Sequence, residues 1–217
     1  NRFIEGYGFS IQAAEQAAKD KIKLIITADI GIRDAAAVTR ARQLGVDVVI
    51  CDHHLPAGET GPQDANVILC PPQQGCAYPN AGLAACGVSL KLAQALLSRS
   101  RKYASNPDKV QLIVRSLLKL AAIGTIADVV SLATSENRAI VQLGLHALRH
   151  TPHSPGLQAL LNVSQLSDGW VDVGSIGYNI APRINAAGRI DDAKIVVDLL
   201  LCKDPKRART LASRIND

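Results

Sequence analysis

The sequence predicts an α/β fold: a parallel sheet flanked by helices, followed by an α-helical segment. Three observations carry that prediction. Two β-branched runs, KLIITAD at 23–29 and VDVVICD at 46–52, bracket an alanine-rich stretch at 34–44, a strand–helix–strand unit. Such a unit sets its two strands parallel, with a right-handed crossover. Hydrophobic residues make up 47% of the 217 and aromatic residues only 3%, so the core is aliphatic, as suits helices on a buried parallel sheet. From Ala81 onward the apolar residues recur at helical rather than strand spacing.

Taken in order, residues 1–8 (NRFIEGYG) read as a loop ending on Gly8. Ser10 is placed as the N-cap of a helix reaching Lys19, with Ile11, Ala14, Ala17 and Ala18 at helical spacing. The run at 23–29 reads as a buried strand, and Asp34 and Gly45 stand where the next helix needs an N-cap and a C-cap. A second buried strand follows at 46–52, and NVILC at 66–70 extends the sheet. A polar, proline-containing loop occupies 71–80. Helices are expected over 87–97, 109–122, 136–148, 156–163, 174–180, 191–201 and 205–215, with Pro152 and Pro155 marking a break.

The bulk numbers narrow the setting. No stretch of about 18 uninterrupted apolar residues and no charged-then-apolar leader pattern is present, which predicts a cytoplasmic protein with no membrane partner. Five cysteines, an odd number without a C-x-x-C pair, read as reduced, buried thiols rather than zinc ligands. A net charge of +5 suits a polyanionic partner, and the scarcity of aromatic rings points to backbone phosphates as the groups it would hold. The chain has no methionine, opens on Asn1 and stops at Asp217 inside a predicted helix, so it reads as a piece of something longer.

Three clusters can carry chemistry. Cys51-Asp52-His53-His54 follows directly on a predicted strand and offers one hard oxygen donor and two imidazoles, a mixture that suits Mn²⁺ or Zn²⁺ and accommodates Mg²⁺ with further carboxylates. Thr27-Ala28-Asp29-Ile30-Gly31 ends the preceding strand. Open α/β sheets bind ligands beyond the carboxyl ends of their strands, so Asp29 and the 52–54 triplet are expected on one rim. The alternative for Asp29, capping the next helix, is weakened by Asp34. Asp128, alone in the apolar run IGTIADVV, is open to two readings: a cap or a metal ligand. Arg183, Asn185 and Arg189, with Gly188 permitting close backbone approach, suit phosphate contacts or else mark a helix end with solvated arginines. Lys203, Lys206, Arg207, Arg209 and Arg214 read as a solvated helix face.

TADIG, CDHH and GTIADVVSL, in that order, resemble the successive metal-site motifs of the DHH phosphoesterase family. NRFIEGYG at 1–8, GLAACGVSLKLAQAL at 82–96 and APRINAAGRIDDA at 181–193 resemble further blocks of one branch of that family, exonucleases specific for single-stranded DNA. The resemblance covers nearly the whole chain. It implies a DHH domain, truncated at its N-terminus, over residues 1–150, and a helical segment over 151–217 leading to a second lobe. It also implies two divalent cations, Mn²⁺ or Mg²⁺, that clamp a phosphodiester and activate a water. By position, Asp29 matches the carboxylate that bridges the cations, and His53 and Asp128 match ligands. His54 matches a histidine contacting the scissile phosphate, Asp52 a residue that ligates or orients the site from behind it.

The activity implied is 5′-to-3′ hydrolysis of single-stranded DNA in repair and recombination, with helicase or single-strand-binding proteins as partners. Two rivals are a family member acting on short oligonucleotides, cyclic dinucleotides or pyrophosphate, and a non-catalytic strand-binding relative. One departure stands out: the family's Asp-x-Asp motif, expected upstream of residue 1, does not occur in the chain, nor does the glycine-rich motif of the second lobe. The isolated chain is therefore expected to have little or no activity.

Overall fold

The computed structural model describes residues 7–103, 105–166, 170–190 and 193–216, with only the backbone of 188–190. The NRFIEG part of the first block lies outside them. Among the described residues two compact units emerge: 7–105 together with Val130–Arg138, and Asn106–Val129 together with 139–216.

The first unit holds the sheet. Its elements run α1 (Ile11–Lys19), β1 (Leu24–Ala28), α2 (Ala35–Gln43), β2 (Asp47–Cys51), β3 (Val67–Leu69) and α3 (Ala85–Arg99). All three strands are parallel in the order β1-β2-β3, as the strand–helix–strand pattern predicts. Ala28 pairs with Cys51, and Cys51 with Leu69, so the three strands end in one row. Phe9, Ala14, Val38 and Ala41 close over Val48 and Ile50. Full burial of a Val or Ile side chain is worth about 1.5–3 kcal/mol, and these are the contacts that seat α1 and α2 on the sheet.

Local chemistry explains the element ends. Ser10 caps α1, its Oγ accepting from the Ala13 N–H at 3.1 Å, as its placement predicts. Gly45 follows α2 at φ +76°, the left-handed conformation that glycine adopts without a Cβ clash. Asp34 differs from expectation. It occupies the N-cap position of α2 without a side-chain cap bond, because its Oδ2 instead accepts from the Phe9 N–H at 2.8 Å. β1 differs as well: Leu24 and Ile26 are exposed, because β1 is an edge strand of the described sheet and its pleat turns only alternate residues toward α1 and α2. The thiols are all free, but only Cys51 and Cys70 are buried, and Cys76, in the 71–80 loop, is exposed.

Asn137 anchors the loop before α3. Its side chain, 0% exposed, donates from Nδ2 to the Gly82 and Ser131 carbonyls, each at 2.8 Å, and accepts from Asn80 Nδ2 at 3.0 Å. Beside it Glu136 accepts from Tyr78 Oη, Asn80 Nδ2 and Lys91 Nζ. Burial pushes the Glu136 carboxyl up, and these donors more than reverse the effect, holding it below its usual range. Removing the Asn137 amide strands two carbonyls and an amide in the interior. Asn137→Ala is expected to cost about 2 kcal/mol, read as a lowered urea midpoint at constant slope.

The second unit is helical: α4 (Pro107–Ala127), most of α5 (Ser135–His150), α6 (Pro155–Val163), the single turn α7 (Val173–Ser175), a π-helical turn (Ile176–Ile180), α8 (Ala181–Ile190), α9 (Lys194–Leu201) and α10 (Pro205–Asn216). The expected 174–180 helix is thus α7 plus the π turn, which runs straight into α8. Pro182 supplies the reason: without an N–H it cannot bond the carbonyl four residues back, and the helix widens just before it. α4 alone among the described helices is long and apolar enough to cross a membrane by length and composition; here it packs against the π turn and α8. Small residues let its unit close tightly. A Cβ on Gly144 would stand 2.6 Å from the Leu118 carbonyl oxygen, and one on Gly156 would stand 2.7 Å from the Leu199 carbonyl carbon.

Lys119 is buried in α4, its Nζ donating to the Thr151 and Pro152 carbonyls and meeting His153 Nδ1 at 3.1 Å. Burial lowers the His153 pKa, the Lys119 charge lowers it further, and a backbone hydrogen bond to Leu148 opposes both. A base depressed in the fold binds its proton more readily when unfolded. Stability is therefore full above the ordinary histidine value of 6.5 and declines as the pH falls from there toward the folded value. Melting curves at pH 7.5 and 5.5 are expected to show a lower midpoint at the acid pH, and His153→Gln to flatten that difference.

Candidate metal centre

The aligned ends of β1 and β2 create the site. Asp29, immediately after β1, takes φ +66°, unusual for a residue with a Cβ, while its N–H donates to the Cys51 carbonyl at 2.9 Å. That turn swings the carboxylate off the sheet edge, where its side chain is 61% exposed. The backbone bond also shows that Asp29 serves β1 rather than capping α2. Gly31 makes the turn possible: it has φ +112°, and a Cβ there would meet Thr27 Oγ1 at 2.7 Å. The Thr27 hydroxyl is buried with no hydrogen-bond partner among the described residues, a feature no sequence pattern signalled.

Asp52, directly after β2, is 1% exposed. Its Oδ2 accepts from the Ile32 N–H at 3.0 Å; Oδ1 accepts from the His53 and His54 N–H groups at 2.7 and 3.2 Å and lies 2.8 Å from His54 Nδ1. Burial alone pushes this carboxyl up. The His54 bond, followed by those from Ile32, His54 and His53, more than reverses that, so its pKa lies below the ordinary value and the group is an acceptor at neutral pH. A carboxylate acceptor puts the His54 proton on Nδ1 and leaves Nε2 as the free ring nitrogen. Asp52 thus ties the loop after β1 to the loop after β2 and sets the His54 ring.

His53 Nε2 lies 3.1 Å from Asp29 Oδ1, and His54 Nδ1 lies 3.8 Å from the same oxygen. One ligand atom from each of Asp29, His53 and His54 falls within 4.8 Å of the others, the one such group of three among the described residues. Two ligands about 2.1 Å from a cation and at right angles stand about 3 Å apart, so the Asp29–His53 spacing fits a shared divalent ion. The donor set, a carboxylate oxygen with imidazole nitrogens, suits Mn²⁺ and tolerates Mg²⁺. Cys70, after β3, donates from Sγ to the His54 carbonyl at 3.3 Å; burial first, and the Asp52 charge next, raise its pKa to about 11. It is a thiol prop, not a thiolate ligand.

Asp128 sits in the helical unit as the C-cap residue of α4, exposed, with its N–H bonded to the Gly124 carbonyl. A carboxylate at a helix C-terminus faces the negative end of the macrodipole. Capping is therefore a poor account of it, and Val129, at φ +56°, shows further local strain. A cleft of ≈ 390 Å³ opens beside it, lined by Ile126, Ala127 and Val129 from the end of α4 and by Pro182 and Asn185 from α8. Within this unit the Asp128 segment and the PRINAAGR segment therefore share a cleft, while Arg183 is engaged otherwise: Nη1 donates to the Asn179 carbonyl at 2.7 Å and Nε to Asn216 Oδ1 at 2.9 Å. The Arg189 side chain lies outside the described residues.

Residues 3–125 match the family model described as the DHH family, N-terminal domain. The chain belongs to the DHH family. Over its full length it is 40% identical to the single-stranded-DNA-specific exonuclease RecJ of Dickeya dadantii and 43% identical to that of Bacillus subtilis. The alignments take in only 37% and 25% of those proteins, so the chain spans about a third of the length of such relatives or less. Among solved structures, an exonuclease RecJ bound to manganese superposes with a TM-score of 0.80 at 30% identity, covering 99% of this chain and 50% of that one. RecJ of Thermus thermophilus in complex with Mn²⁺ gives a TM-score of 0.75 at 29% identity, covering 95% and 29%. The three-stranded parallel sheet and its flanking helices are the DHH-domain architecture that the motifs implied.

Proposed function

We propose that this chain is the catalytic-core portion of a metal-dependent exonuclease that digests single-stranded DNA from the 5′ end, acting in repair and recombination in the cytoplasm beside helicase or single-strand-binding partners. The observation that carries this reading is the Asp29–His53–His54 cluster on the carboxyl rim of a DHH-family sheet. Support comes from full-length alignment with relatives named as exonucleases specific for single-stranded DNA.

In this reading Asp29, His53 and Asp128 take part in holding two divalent cations, Mn²⁺ or Mg²⁺. Bound there, a cation supplies Lewis acidity to the phosphodiester and lowers the pKa of a water. His54 presents Nε2 to the scissile phosphate, and Asp52 keeps that ring in one tautomer and one orientation. Arg183, Asn185 and Arg189 hold phosphates of the strand. Residues 1–150 form the DHH portion, and 151–217 lead out of it.

The test is a comparison of substrates in Mn²⁺ with a longer protein that contains this chain. A long 5′-labelled single strand is expected to release labelled mononucleotide first, with duplex resistant. Preference for a dinucleotide or cyclic dinucleotide would replace this reading with the small-substrate one.

A further inference from the structure

Trp170 is the only tryptophan in a chain that is 3% aromatic, yet it is 67% exposed. Its surroundings hold it in that position. Val171 beside it is buried, and Asp172 Oδ1 accepts from both the N–H and the hydroxyl of Ser175 at 2.7 Å, closing a capping box that pins the turn. Arg149, on α5, donates from Nε to the Val171 carbonyl at 2.6 Å and lays its guanidinium 3.8 Å from the centre of the indole ring. One face of the indole thus carries a cation fixed in place.

Rings of this size are normally used to bury area, and a fixed, wet tryptophan backed by arginine is organised for a flat partner. We infer that Arg149 and Trp170 form a stacking platform for unpaired nucleobases of single-stranded DNA. The inference rests on the exonuclease reading and adds to it a base-binding element on the helical unit. Every base has a π face, so such a platform is tolerant of sequence, whereas the bases of a duplex are already stacked on one another. The guanidinium and the chain's net charge of +5 complement the phosphates that accompany those bases. The platform therefore selects strandedness through bases, where the metal centre acts on phosphate.

The experiment measures binding of a fluorescein-labelled oligo-dT strand by the longer protein, with chelator present so that nothing is digested. Trp170→Ala is expected to weaken binding roughly fivefold to a hundredfold, the range for one lost base stack. Trp170→Phe keeps an aromatic face and is expected to restore most of the affinity. With metal restored, Trp170→Ala is expected to raise KM while leaving kcat nearly unchanged. Wild-type affinity in Trp170→Ala, or equal losses in the Ala and Phe variants, would overturn the platform and leave the exonuclease reading intact. A wild-type protein that neither binds nor digests the single strand would overturn both.

Discussion

His53→Ala is expected to lower Mn²⁺-dependent turnover on single-stranded DNA by at least about a hundredfold in the longer protein. Losing even the outer partner of a metal ligand typically costs 10–100-fold, and His53 Nε2 is itself 3.1 Å from the Asp29 oxygen it would share a cation with. The loss should fall on metal affinity, visible as a weaker Mn²⁺ isotherm in titration calorimetry. Its circular dichroism should not change, because the loop is held by backbone bonds to Asp52 rather than by the His53 ring. Asp52→Asn separates the two roles. It keeps the Asp29 carboxylate and the His53 ring but weakens the acceptor that sets the His54 ring and holds the His53 and His54 N–H groups, so about a 10–100-fold loss in kcat with a smaller change in metal affinity is expected. Near-normal turnover of His53→Ala in Mn²⁺ would remove His53 from the ligand set.

The largest expected loss of stability is at Gly156, where α6 meets α9. A Cβ there would overlap the Leu199 carbonyl oxygen and approach Leu199 C at 2.7 Å and Leu200 Cα at 3.1 Å. These are backbone atoms of α9, so no rotamer change can relieve the overlap; α6 and α9 must move apart. Inserting one methyl group into a well-packed site usually costs 1–3 kcal/mol, and a clash with helix backbone belongs at or above the top of that range. Gly156→Ala is expected to destabilise the protein by at least about 3 kcal/mol, or to leave it insoluble. Gly45→Ala offers the contrast. Its Cβ would meet nothing within 4 Å, and only its φ of +76° is unfavourable, so a loss of about 1 kcal/mol is expected. Equal urea midpoints for the two variants would contradict this account of the α6–α9 contact.

The parallel sheet and the Asp29, His53, His54 rim were legible because both depend on short patterns: β-branched runs, and polar residues just past them. Less visible were features set by partners distant in sequence. Asp34 reads as a cap, yet its carboxylate answers the Phe9 N–H 25 residues away. Asn137 and Glu136 look like an ordinary helix start and turn out to join the 78–82 loop. The 23–29 run reads as buried, because apolar composition does not say which strands lie at an edge. Asp52 stood out in its motif, but its burial and its four donors follow from the way two loops converge.

The level ends of the three strands bear on how such a protein tolerates inserted or deleted residues. Ala28, Cys51 and Leu69 share one row, and the residues after the first two carry the rim. Segments feeding the strands from the other end, around 20–22 and 62–64, can lengthen or shorten without displacing Asp29 or Asp52, since the ladder, which begins at Lys23 and Asn66, re-establishes the row. One residue added inside β2 has a different result: with a side-chain period of two, it turns Val48 or the residues beyond it to the opposite face and carries Asp52 out of reach of the Ile32 N–H. Length variation among natural or engineered versions should therefore collect at the amino ends of the strands, and a library of single-residue insertions scored for folding and for Mn²⁺ binding would map that boundary directly.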